Sequence, residues 1–114
     1  NESLNTHKNQ IFAAARQYIH QHYSENITLG DIASASSVSE THLIRIFNKY
    51  AQTTPMTYLW DLRITQALEL LQRTGLSISE IAAQCGFKTS YHFSRRIREK
   101  VGMTATEYRK QLWG

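Results

Sequence analysis

The sequence predicts an all-α chain of about seven helices, in which two copies of one helical unit flank a long central linker helix. Three observations predict it. The 114 residues include one proline and five glycines and are rich in Ala, Leu, Ile, Gln, Glu and Arg, a composition that favours helices. Pro55–Thr74 is the longest clean helical pattern in the chain. The stretches on either side of it share one grammar of caps, turns and apolar positions.

Hydrophobic content of 41% with 19% charged residues is ordinary for a globular domain and argues against disorder. The single cysteine, Cys85, excludes an intrachain disulfide and fits a reducing, cytoplasmic compartment. No apolar run approaches the ~18 residues of a membrane span and no signal-peptide layout is present, so no membrane partner is expected. The formal charge of +4 allows an anionic partner without demanding one. The chain begins at Asn1 rather than Met, so a processed or excised segment is expected.

In order, residues 1–9 are polar and aperiodic and read as a flexible lead-in or linker end. The first subdomain then covers 10–54. From Gln10, Ile11, Phe12, Ala15, Tyr18, Ile19 and Tyr23 recur at helical spacing, and Asn26 ends that helix. Thr28 caps a short helix over Leu29–Ser36, with Asp31 positioned to return the cap. Ser37-Val38 makes a tight turn, and Ser39 caps a helix running to about Ala51, apolar at Leu43, Ile46, Phe47 and Tyr50. The linker helix, 55–74, starts on a proline suited to a first helical position and stops before Gly75, expected to take a left-handed conformation. On a wheel, Met56, Leu59, Trp60, Ile64, Ala67, Leu68, Leu70 and Leu71 span an arc of roughly 180°, wider than the ~100° stripe of a surface helix. Such an arc suits a spine shared by two subdomains. The second subdomain covers 75–114: Ser77 caps a short helix with Glu80 at its third position, and Cys85-Gly86-Phe87 turns. Thr89 or Ser90 opens a helix to about Lys100, and Thr104 with Glu107 caps a last helix ending near Leu112.

Subtraction exposes the repeat. Thr28/Ser77, Asp31/Glu80, Ile32/Ile81, Ala33/Ala82 and Val38/Phe87 are 49 apart, whereas Leu43/Phe93, Arg45/Arg95, Phe47/Ile97, Gln52/Gly102 and Tyr58/Tyr108 are 50 apart. Two copies of one supersecondary unit with a single inserted residue leave this trace. A short capped helix, a tight turn and a longer helix are the layout of a helix-turn-helix, whose second helix enters a DNA major groove. A plain bundle has the same periodicity, and a charged face is usually just solvated, so the position of the charge on the second helix decides. Lys88, Arg95, Arg96, Arg98 and Lys100 oppose only Glu99 within Lys88–Lys100, a local excess equal to that of the whole chain. Clustered cations on a second helix favour a phosphate backbone through counterion release.

The segments VSETHLIRIFNKYAQTTPMTYLWDLRITQALELL and ISEIAAQCGFKTSYHFSRRIREKVGMTATEYRK resemble the DNA-binding domain of the AraC/XylS transcription regulators, over about Gln10 to Lys110. The most specific parts are IAAQCGF, the spacing from Gly86-Phe87 through Phe93-Ser94-Arg95 to Gly102, and Ala105-x-x-Tyr108-Arg109. Gln52, Ala105 and Ile97 depart from the family's usual glycine, proline and phenylalanine. The resemblance implies two helix-turn-helix subdomains that place recognition helices in successive major grooves of promoter DNA. It implies base-facing roles for Thr41, His42, Ile44, Arg45, Ser90, Tyr91, Ser94 and Arg95, with the two arginines foremost because guanidinium pairs bidentately with guanine. It assigns phosphate contacts to Ser39, Asn48, Lys49, Lys88, Thr89, Arg96 and Arg98, aided by the helix N-termini at Ser39 and Thr89. Ile44 has two options, a thymine methyl contact or an edge-of-core place, and the second is preferred. RNA polymerase and an N-terminal effector or dimerisation domain are the implied protein partners.

His20 and His22, two apart on a helix, make a poor metal pair; no metal, cofactor or enzyme activity is expected, since no nucleophile–base pair, carboxylate dyad or phosphate loop is legible. Cys85 reads as packing, Trp60 and Trp113 as core or edge, and Arg63, inside the apolar arc, as a structural hydrogen-bond donor. Three rival readings remain: a stand-alone regulator acting as a monomer, a helical protein-interaction module, and, distantly, a helical enzyme.

Overall fold

The computed structural model describes residues 2–113, with side chains from Thr6 onward. Seven α-helices follow one another: α1 (Glu2–His22), α2 (Leu29–Ala35), α3 (Glu40–Ala51), α4 (Pro55–Arg73), α5 (Ile78–Gln84), α6 (Ser90–Val101) and α7 (Ala105–Trp113). The described residues form no strand. The chain divides into two compact units, Asn1–Trp60 and Asp61–Gly114, so α4 gives its first turns to one unit and the remainder to the other.

In the first unit α1 packs on α2 and α3, and α2 packs on α3. Ile11, Ala15, Ile19, Ile32, Leu43, Ile46, Phe47 and Leu59 are buried together at the centre. Phe47 sets its ring edge-on to Phe12 at 5.0 Å and to Tyr58 at 5.6 Å, contacts worth ~0.5–1.5 kcal/mol beyond their burial. In the second unit α6 packs on α5 and α7 around Ile64, Ala67, Leu71, Ile81, Cys85, Phe87, Phe93 and Ile97. Phe87 and Phe93 meet edge-to-face at 5.1 Å.

Equivalent positions of the two units adopt equivalent conformations. Thr28 accepts from the Asp31 amide while Asp31 accepts from the Thr28 amide, and Ser77 and Glu80 make the same reciprocal pair. Both short helices then end identically. The Val38 amide donates to Ala33 O and the Ser37 amide to Ser34 O; Phe87 and Gly86 repeat this with Ala82 O and Ala83 O. Each turn is therefore a Schellman motif with a left-handed residue, Ser37 at φ 59° and Gly86 at φ 89°. Ser39 and Thr89 cap the second helices, which end in left-handed Gln52 and Gly102.

Four boundaries differ from the sequence reading. The first helix starts at Glu2, not Gln10, so most of the expected lead-in is helical. Its described side chains from Thr6 to Gln10 are mostly exposed, so no apolar period announces a helix that costs little to extend once nucleated. That helix stops at His22 rather than near Asn26; the Glu25 amide turns back onto His22 O. The second helix closes at Ala35, with Ser36 as its cap. The linker helix ends at Arg73, and Gly75 is not among the described residues with positive φ. Thr74 folds its hydroxyl onto Leu70 O at 2.7 Å, while from α7 Arg109 donates to Leu71 O and Thr74 O and the Trp113 indole to Gln72 O, so no left-handed glycine is needed there.

Along α4 the buried positions are Pro55, Leu59, Arg63, Ile64, Ala67 and Leu71, while Met56, Trp60, Leu68 and Leu70 are half-buried. The expected arc is present with a narrower fully buried stripe. Arg63, only 4% exposed, lies within it, and burial lowers the pKa of its guanidinium.

Candidate nucleic-acid interface

Each unit turns one row of side chains outward from its second helix. On α3, Thr41, Ile44, Arg45 and Asn48 stand at i, i+3, i+4 and i+7 and are all exposed, while Leu43, Ile46 and Phe47 anchor the opposite side. On α6, Tyr91, Ser94, Arg95 and Arg98 form the corresponding exposed row, with Phe93 and Ile97 buried behind it. Burial of one face fixes the rotation of the helix and thereby selects the outward row.

The remaining proposed contacts gather at the margins of these rows. Ser39 and Thr89 are exposed caps whose hydroxyls accept from the amides of His42 and His92, each at 3.1 Å. Lys49 and Lys88 are exposed, as is Ser90. His42 and Arg96 are half-buried flank residues rather than members of the outermost row. Ile44, preferred from sequence as an edge-of-core residue, is 39% exposed and lies in line with Thr41 and Arg45. Tyr91 is 75% exposed, which is unusual for a phenol that contributes nothing to the core.

The two rows differ electrically. The first turn of α3 carries Glu40, whereas the first turn of α6 carries no acid, so no carboxylate offsets the positive dipole end there. His92, half-buried against the Phe87 ring at 5.5 Å, sits beside Arg96, Arg95 and Arg63. Its pKa is lowered, first by burial and then by those three cations, with Glu99 opposing. The neutral ring is thereby favoured where the free side chain would begin to charge.

Sequence reasoning missed three interactions. Arg95 donates through Nε to Glu99 Oε1 at 3.2 Å, a pair legible in principle from the i, i+4 spacing. Arg63 reaches the electrostatic surroundings of His92, which no local pattern signals. Arg109, known from sequence only as part of a motif, donates to Leu71 O, Thr74 O and Leu76 O. Among the described residues no three His, Cys, Asp or Glu side chains gather as a metal site, and no helix is long and apolar enough to cross a membrane.

Comparison with known proteins gives this geometry a family. The family model described as a helix-turn-helix domain matches residues 32–111. The uncharacterized HTH-type transcriptional regulator YdeC of Bacillus subtilis is 37% identical over 93 residues, 82% of this chain and 32% of its own length. The melibiose operon regulatory protein of Escherichia coli is 31% identical over 117 residues, 96% of this chain and 39% of its own. The chain thus spans about a third of the length of these curated relatives. A crystal structure of an AraC-type DNA-binding domain-containing transcriptional regulator from Chromobacterium violaceum is 32% identical, covers 99% of this chain and 97% of its own, and superposes with a TM-score of 0.84. Repeated helix-turn-helix units, the matching family model and full-length coverage of that solved domain lead to one conclusion: the chain belongs to the AraC/XylS family of helix-turn-helix transcriptional regulators.

Proposed function

We propose that this chain binds double-stranded promoter DNA sequence-specifically, with α3 and α6 as recognition helices entering successive major grooves of one duplex. The observation that carries the reading is the pair of outward rows, equivalent in position and each centred on an arginine, Arg45 and Arg95. Its relatives' identity as HTH-type transcriptional regulators, and a solved relative with an AraC-type DNA-binding domain, support it. Thr41, His42, Ile44, Arg45, Ser90, Tyr91, Ser94 and Arg95 face bases in this scheme. Ser39, Asn48, Lys49, Lys88, Thr89, Arg96 and Arg98 grip phosphates and set register. Ile44, exposed in the row, offers its side chain to a thymine methyl.

Regulation would take place in the cytoplasm, through contact with RNA polymerase and with an effector-sensing or dimerising domain elsewhere in the full protein. The greater length of the curated relatives supports the second partner. Selection from a random duplex pool, followed by binding across a salt series for wild type, Arg95→Ala and Lys88→Ala, tests the reading. Arg95→Ala is expected to cost ~1–3 kcal/mol and to relax preference at one base pair. Lys88→Ala is expected to weaken all sequences and reduce the salt slope by about 1. Selection that enriches no sequence refutes specific binding.

A further inference from the structure

Arg95 lies on the outward row and Glu99 at its margin one turn later on α6, and both side chains are largely exposed. It is the Nε of Arg95 that donates to Glu99 Oε1, at 3.2 Å. A guanidinium has a side edge, made by Nε and one Nη, and an end edge made by the two Nη groups. With Nε occupied, the end edge is left as a parallel pair of donors, the arrangement that guanine O6 and N7 accept. An unrestrained arginine surrenders its rotamer freedom on binding; one already held by a carboxylate surrenders less.

We infer that Glu99 is a positioning residue for base readout: its carboxylate holds Arg95 so that the Nη edge faces the groove. The inference rests on the DNA-binding reading and deepens it. The first unit lacks the device, because four residues after Arg45 stands Lys49, a cation with no acceptor. Arg95 is therefore the more discriminating of the two arginines, and Arg45 the more tolerant.

Glu99 is also the only acid among the five cations of Lys88–Lys100. If it were merely a surface charge, removing it would tighten binding to every duplex by relieving repulsion with phosphate. The positioning role predicts the opposite sign for a duplex that presents guanine to Arg95. The test compares wild type, Glu99→Ala and Glu99→Gln, each also in an Arg95→Ala background, with far-UV circular dichroism confirming the fold. Two probes are used: the selected duplex, and the same duplex with 7-deazaguanine, which lacks the N7 acceptor, at the base pair where Arg95→Ala relaxes preference.

In the Arg95 background, Glu99→Ala is expected to lower the preference for guanine over 7-deazaguanine by about threefold or more, as coupled neighbours do. Glu99→Gln, which keeps a neutral acceptor, should retain part of that preference. In the Arg95→Ala background, Glu99→Ala should tighten both duplexes alike, by about twofold, the scale of one exposed charge pair. An unchanged guanine preference, or equal tightening of both duplexes with Arg95 present, overturns the positioning role. Absence of any selected duplex for wild type instead overturns the DNA-binding reading beneath it.

Discussion

Truncating Arg109 to alanine should remove the cap that closes α4. Its guanidinium donates through Nε to Leu71 O at 3.1 Å, through Nη1 to Leu76 O at 2.6 Å and through Nη2 to Thr74 O at 3.1 Å. Those carbonyls lie at or just beyond a helix C-terminus, where orphan acceptors and the negative end of the dipole both favour a cation. Hydrogen bonds from a charged donor contribute ~1.5–3 kcal/mol each, but three from one group do not add. The half-buried Thr74 and Leu76 can regain water once Arg109 is gone, so one full bond survives as a deficit. Loss of the stacking on Trp113, 5.0 Å from its ring, adds ~0.5–1 kcal/mol. The expected destabilisation is therefore ~2–4 kcal/mol for Arg109→Ala. Arg109→Lys should lose ~1–2 kcal/mol, because an ammonium cannot reproduce a planar fork that serves three acceptors. Urea unfolding followed by far-UV circular dichroism, with Tm as a second readout, measures both. A loss under ~0.5 kcal/mol for alanine, or a lysine variant as stable as wild type, refutes this account of the cap.

Three further outcomes are expected. Ala67→Asp places a carboxylate at a position with no exposure in the second unit, so folding and duplex binding should fail together although Ala67 is remote from the outward row; full-affinity binding by a loosely folded variant would contradict this. Ser37→Gly should stabilise by ~0.5–1 kcal/mol, because a non-glycine residue holds φ 59° there; Gly102→Ala should destabilise by a similar amount through backbone strain alone, since nothing lies within 4 Å of an added Cβ. Thermal melts of the two variants should move in opposite directions. His92, whose pKa is lowered in the folded chain, should make stability fall as pH drops below its ordinary value of about 6.5 toward the lowered folded value, because the unfolded chain binds the extra proton. Urea midpoints between pH 7.5 and 5.5 should fall more for wild type than for His92→Gln; equal slopes would remove His92 from the pH response.

Much of the fold was legible because its signals are local. Thr28 with Asp31, and Ser77 with Glu80, are capping boxes written within four residues, and the constant offset between them marks the repeat in the sequence itself. The outward rows were legible for a related reason: burial of Leu43 and Phe47, or of Phe93 and Ile97, leaves the other face no choice. What escaped was either featureless or distant. The extension of α1 back to Glu2 has no apolar period to betray it. Ser37 in a left-handed turn shows no glycine, and only its alignment with Gly86 hints at the conformation. Arg109 meets carbonyls more than thirty residues earlier, and His92 feels the charge of a buried arginine of α4; neither separation has a local pattern. The Arg95–Glu99 pair has the right spacing, but counting the segment's charges sums the two and hides that they act on each other.

Cys85 closes α5 with no exposed surface, and burial pushes its thiol up to about 11. At neutral pH only about one such thiol in ten thousand is ionised, and a disulfide reagent has no path to it. Modification must therefore wait for the second unit to open. The cysteine is a clock built into that unit: the rate at which it reacts counts openings of the fold around α6, with no label to attach. Run with and without a duplex, the same clock would time how long bound DNA keeps that unit shut.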